Sequence, residues 1–210
     1  QDGNEFRALT LYNEATMTDP SLHENARETL SNMAQACSST DAGAIYYWLG
    51  IHSEWLSDAR QAAVFYEKAI NAFNQIGYKK RASRACNNLG SVKMQMRDPS
   101  AMEEFEKAIA LNPENGMAHI NVGVTYYGIS ERGDPRFEQA LDAFADAIVA
   151  DPATYRPLVL SRLRSIGYTW KEDWEDIARR VVSRQPGISV ESGGPTKRPD
   201  ESKDSRKKRI

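Results

Sequence analysis

Two cysteines in 210 residues are too few for a disulfide framework, so cross-links do not hold this fold. Cys86 falls on a helix face expected to be buried, where a thiol is inert. Such cysteine usage points to a reducing compartment, the cytoplasm. Long apolar runs are also missing. Crossing a bilayer as a helix takes about 18–20 apolar residues, and the longest candidates here, such as Ala44–Leu49, fall far short. Charge of one sign is lacking as well. With a net charge of −2 and a pI near 6.0, nothing in the whole-chain balance argues for nucleic acid or an anionic membrane. Histidine is scarce, and none of His23, His52 and His119 has a second His or a Cys at ligand spacing. His119 reads as a packed core histidine. There is no zinc spacing, P-loop, dinucleotide fingerprint or nucleophile elbow. Gly193-Gly194 follows no strand and opens no helix. Glu103/Glu104 and Glu172/Asp173 are adjacent pairs on predicted helices, where neighbours do not face one another, so they read as solvated charge. No metal, no cofactor and no catalytic role are expected.

What is present is a soluble globular balance, 40% hydrophobic and 27% charged, in a chain of one-domain size. Its charge is segregated. Residues 188–210 carry seven Lys/Arg against four Asp/Glu, while residues 1–187 carry 20 against 25. The tail is rich in Ser, Gly and Pro and has no apolar period, so residues 188–210 are expected to be disordered. Its basic runs, Lys197-Arg198 and Arg206–Arg209, fit an import signal, a phosphate-binding arm or a solubilising terminus. Interspersed acids and a lack of aromatics argue against nucleic acid.

Repetition organises the rest. Ala, aromatic and Ala recur at i, i+4 and i+7 in Ala8/Tyr12/Ala15, Ala62/Tyr66/Ala69, Ala101/Phe105/Ala108 and Ala140/Phe144/Ala147. That spacing puts the three residues on one helix face. Pro20, Pro113 and Pro152 follow three of these segments and end their helices. An apolar residue followed by Gly precedes three of them: Leu49-Gly50, Leu89-Gly90 and Val122-Gly123. Glycine inside a helix costs about 1 kcal/mol against alanine, so its recurrence signals close helix contact. Helices are predicted over about 4–18, 22–37, 42–56, 58–76, 79–96, 99–111, 115–130, 136–150, 154–167 and 171–184. Turns fall at Asp19–Ser21, Ser38–Asp41, Asp98–Ser100, Asn112-Pro113, Gly133–Pro135 and Asp151-Pro152. The segment Ala8–Pro20 looks like the second helix of a pair, whereas even pairing makes it a first helix.

These residues resemble the tetratricopeptide repeat family, most closely at Ala101–Pro113, Gly123 and Ala140–Pro152. The stretch from Leu111 to Gly123 is very typical, although the repeats run longer than the family's usual ~34 residues. The resemblance implies an all-α, right-handed superhelix of about five hairpins. The expected divisions are a divergent N-terminal hairpin over 1–41, three repeats over 42–78, 79–113 and 114–152, a capping hairpin over 153–187 and the tail. It also implies a concave groove lined by first helices. On that face fall Tyr47, Trp48, Ile51 and Trp55; Arg84, Asn87, Asn88 and Ser91; Met117, Asn121, Val124 and Tyr127; and Arg156 and Leu160. Asn88 and Asn121 each stand two residues before a repeat glycine. A side-chain amide both donates and accepts, so the pair could hold the main chain of an extended peptide, or could bond only a neighbouring loop. Arg84, with Arg156, would meet a carboxylate, and Trp48 and Trp55 would anchor apolar groups. Tyr46 is expected in the core and Trp48 in the groove. The family's clamp for acidic chaperone tails needs a lysine on the first groove helix, and helix 42–56 has none. The function implied is a scaffold or adaptor for a protein or peptide partner. The alternatives are an assembly subunit that associates with itself or others through its outer face or hairpin ends, and the regulatory repeat domain of a larger enzyme.

Overall fold

The computed structural model describes residues 19–36, 39–166 and 170–188. Among them it is all-α: a 3-10 turn at Pro20–Leu22, then α1 (His23–Ala36), α2 (Ser39–Trp55), α3 (Ala59–Gln75), α4 (Lys79–Gln95), α5 (Ala101–Leu111), α6 (Gly116–Ile129), α7 (Pro135–Ala150), α8 (Pro152–Ile166) and α9 (Trp170–Arg184). The expected helix 4–18 with Ala8/Tyr12/Ala15, Cys37 and the tail beyond Ile188 lie outside the described residues.

The starts of α3, α6 and α7 are set by polar caps. Asp58 accepts from the Gln61 amide at 3.1 Å, and Asn115 from the Ala118 amide at 3.3 Å. Asp134 accepts from the Arg136 amide at 2.8 Å with Pro135 at the first helical position. Each cap satisfies an amide that has no partner within its helix. The turn expected over Ser38–Asp41 is corrected: α2 already begins at Ser39. Ser, Thr and Asp favour both turns and the first turn of a helix, and here the helix takes them. The ends of α2, α3 and α4 share one geometry. Asp58, Tyr78 and Asp98 donate backbone N–H to the carbonyls of Ser53, Phe73 and Lys93 at 2.8, 2.9 and 2.9 Å. The residue before each has a positive φ: Ser57 at 60°, Gly77 at 73° and Arg97 at 58°. This is the Schellman closure, and glycine occupies one of its three left-handed positions.

Each helix packs on the next, and α9 folds back on α7. First helices also touch across pairs, α4 with α6 and α6 with α8. The sequence pattern explains the packing. The buried rings of Tyr66, Phe105 and Phe144 lie on Gly50, Gly90 and Gly123. A Cβ at those glycines would come within 2.5, 2.6 and 2.7 Å of ring carbons. Removing the side chain lets the aromatic of the second helix seat against the backbone of the first. Ala62, Ala69, Ala101, Ala108, Ala140 and Ala147 are buried beside those rings. The largest apolar cluster lies at the C-terminal end, where Leu141, Phe144 and Ile148 meet Val159, Leu163, Trp174, Ile177 and Val181. Asp173 is fully buried there, accepting from the Tyr127 hydroxyl and from Arg132, which ties α9 to the end of α6. This is an all-α, tetratricopeptide-repeat-like helical repeat fold.

Candidate peptide-binding face

Side chains from α2, α4 and α6 form one hydrogen-bonded row. The Asn88 amide donates to the Tyr47 hydroxyl at 3.2 Å and to the Tyr66 hydroxyl at 3.4 Å. Asn87 donates to Asn88 Oδ1 at 3.4 Å. Asn121 donates to Asn87 Oδ1 at 2.9 Å and to Ser91 Oγ at 3.5 Å. Ser91 and Thr125 fix the backbone side by donating to the Asn87 and Asn121 carbonyls at 3.1 and 2.7 Å. At the α2 end, the Tyr66 hydroxyl donates to Glu54 Oε2.

The orientation of this row decides what it can offer. Both amino hydrogens of Asn88 and of Asn121 are engaged by the protein. Their carbonyl oxygens keep accepting capacity, since Asn121 Oδ1 has no donor and Asn88 Oδ1 has one distant donor among the described residues. Tyr47 accepts from Asn88, and its own hydroxyl hydrogen has no acceptor among the described residues. The half-buried row therefore presents a donor and two acceptors. Burial raises the Tyr47 pKa, opposed by the Asn88 hydrogen bond and the charge of Arg84, so its hydroxyl stays protonated. Burial likewise pushes Tyr66 up, and the Glu54 charge adds to the effect.

The other predicted residues are dispersed. Arg84 is exposed with no hydrogen-bond or ion-pair partner among the described residues, and its charge reaches Tyr47. Asn87 is 8% exposed and works as the link between the two outer asparagines. Trp48 is half-buried against Leu30, Ile45 and Leu49, and Tyr46 packs on the same cluster. Trp55 is 52% exposed, with its ring stacked on His23 at 5.0 Å and 12°. Tyr127 is 8% exposed, packed on Phe137 and Phe144, with its hydroxyl on Asp173. Arg156 is half-buried, its guanidinium 6.0 Å from the centre of the Trp174 ring. Met117 is exposed, and Val124 and Leu160 pack partly on the C-terminal cluster.

Sequence reasoning missed Tyr66 and Glu54. A signal existed: of the three equivalent aromatics Tyr66, Phe105 and Phe144, only Tyr66 bears a hydroxyl, and a buried hydroxyl requires a partner. It also missed the meeting of His23 with His52. Both are buried, and their Nδ1 atoms stand 2.8 Å apart. That separation is a hydrogen bond between rings from α1 and α2, and His23 Nε2 has no partner among the described residues. No group of three or more metal-ligating side chains is found among the described residues. Among them, too, no helix is long and apolar enough to cross a membrane. His119 is buried, with Nε2 on the Pro113 carbonyl at 2.9 Å.

No family model matches the chain. A curated protein named TPR repeat-containing protein MJ1428, from Methanocaldococcus jannaschii, is 24% identical over 140 residues. The match covers 66% of this chain and 23% of that protein, so the chain spans less than a quarter of its relative's length. It is a distant likeness to a repeat protein and agrees with the helical pairs described above.

Proposed function

We propose that this chain is a protein-interaction scaffold that holds an extended segment of a partner along the face of α2, α4 and α6. One observation carries the reading: the row Tyr47–Asn88–Asn87–Asn121, fixed by its own hydrogen bonds, leaves a hydroxyl donor and two amide oxygens for a ligand. An extended main chain alternates N–H and C=O, so such a row can grip it with little regard to side-chain identity. Its groups are already oriented, which lowers the ordering cost of binding. Exposed Arg84 beside the row meets an acidic group of the segment, and exposed Trp55 supplies aromatic contact area. Arg156 and the buried Tyr127 belong to the packing of the last hairpins in this reading. The action is binding, without catalysis.

Hydrogen–deuterium exchange on the protein bound to a peptide selected from a random library tests the proposal. The expected footprint is slowed exchange in α2, α4 and α6, with α3, α5 and α7 unchanged. Protection centred on the second helices or the hairpin ends, or concentration-dependent mass in light scattering without peptide, would favour an assembly subunit instead.

A further inference from the structure

Glu54 differs from the two most buried carboxylates, Glu104 and Asp173. Glu104, 6% exposed, is held by Lys93 at 2.8 Å and Lys107 at 3.0 Å. Fully buried Asp173 is held by Arg132. Glu54 has a neutral partner, the Tyr66 hydroxyl on Oε2, and no lysine or arginine pairs with it among the described residues. Taking a carboxylate out of water without a counter-charge is unfavourable, and burial raises the pKa of Glu54 accordingly. This carboxylate borders a pocket of about 340 Å³ whose described lining is Ile51, Glu54 and Trp55. The volume is at the small end of the roughly 300–1,000 Å³ range of ligand pockets. Trp55 is held in place by stacking on His23 along one face, yet remains 52% exposed.

We propose that this pocket receives a lysine- or arginine-like side chain of the bound segment. The proposal rests on the groove reading above and adds the charge of one partner residue. Ile51 covers the aliphatic stem, the indole of Trp55 faces the cation through its π-system, and Glu54 supplies the missing counter-charge. Among the described residues, Arg84 on α4 and Glu54 on α2 then give the face a cation and an anion without an ion-pair partner, so the segment it fits carries an acidic and a basic residue.

The probes are Nα-acetyl-lysine-N-methylamide and its norleucine counterpart, which keeps the stem and lacks the ammonium. Each is titrated into the full chain while the Trp55 indole N–H resonance is followed. The lysine amide is expected to shift that resonance saturably, and the norleucine amide to need about tenfold more. In Glu54→Gln, whose amide oxygen still accepts from Tyr66, most of the lysine preference should be lost, leaving the share owed to the Trp55 π-face. Equal binding of both amides by the wild type, no saturable shift with either, or a lysine preference undiminished in Glu54→Gln would overturn the pocket. Trp55→Leu, read by isothermal titration calorimetry because the reporter indole is gone, gives a second check: it removes the π-face and leaves Glu54 in place, and lysine preference should weaken. Failure of the pocket is separable from failure of the groove. A selected peptide lost in Asn88→Ala/Asn121→Ala but indifferent to Glu54→Gln overturns only the pocket.

Discussion

At the scale of single residues, the fold depends on places where a side chain is absent. Gly90 lies where a Cβ would stand 2.6 Å from the Phe105 ring, which is fully buried and has nowhere to move. Gly90→Ala gains helix propensity of about 1 kcal/mol, but overpacking of this kind costs about 1–3 kcal/mol. Urea denaturation should therefore show a net loss of about 1 kcal/mol. Placing the smaller Leu at Phe105 in the Gly90→Ala background should cost much less than Phe105→Leu alone. Simple additivity of the two changes would contradict the ring-on-glycine contact. His52 makes a second prediction. Burial, with the neighbouring His23 second, lowers its pKa from 6.5 to about 4. The unfolded chain then binds the proton more readily, so stability rises with pH across about 4 to 6.5 and is lost as pH falls through that window. At 1.36 kcal/mol per unit, the wild type should lose on the order of 2–3 kcal/mol between pH 7 and pH 4.5, beyond any loss shown by His52→Asn. Equal losses in both proteins would remove His52 as the cause. These residue-scale features were partly legible in the sequence. The recurring apolar-Gly pair marked close contact, but which ring sits on which glycine emerges only when the helices are paired. The His23–His52 contact joins residues 29 positions apart, and neither has any local motif.

At the scale of elements, most helices were readable because Ala–aromatic–Ala periodicity, capping Asp and Asn and terminal Pro all act within one helix. Ser39–Asp41 were not, since the same residue types start helices and make turns. The three shared closures were invisible as well, because only Gly77 advertises a left-handed residue, while Ser57 and Arg97 adopt the same conformation without being glycine. That difference is testable. Arg97→Gly should stabilise the protein by about 1 kcal/mol by relieving the left-handed penalty, and Gly77→Ala should destabilise it by a similar amount. Opposite signs in thermal denaturation are the expected result, and a loss of stability in Arg97→Gly would show that the Arg97 side chain contributes more than its backbone conformation costs. The resemblance put Tyr47, Asn88 and Asn121 on one expected face, and the structure joins them by hydrogen bonds, but the hydrogen-bond direction of Asn88 and Asn121 was not legible. It depends on hydroxyls and amides contributed by other helices, Tyr47, Tyr66 and Asn87 among them.

At the scale of the whole molecule, pairs of helices stack so that α2, α4 and α6 bring Tyr47, Asn88 and Asn121 into one connected row, with Arg84 beside it and Glu54 at one end. No catalytic constellation is needed to explain this arrangement, since oriented donors and acceptors on a rigid face suffice for recognition of an extended chain. The central claim is that the two asparagines hold the ligand's main chain. The most direct measurement is the dissociation constant of a library-selected peptide for the wild type beside Asn88→Ala/Asn121→Ala, with unchanged far-UV circular dichroism confirming that the variant is folded. The account predicts a loss of at least about tenfold, the same for peptides of different side-chain sequence. Unchanged affinity in the folded double variant would contradict it.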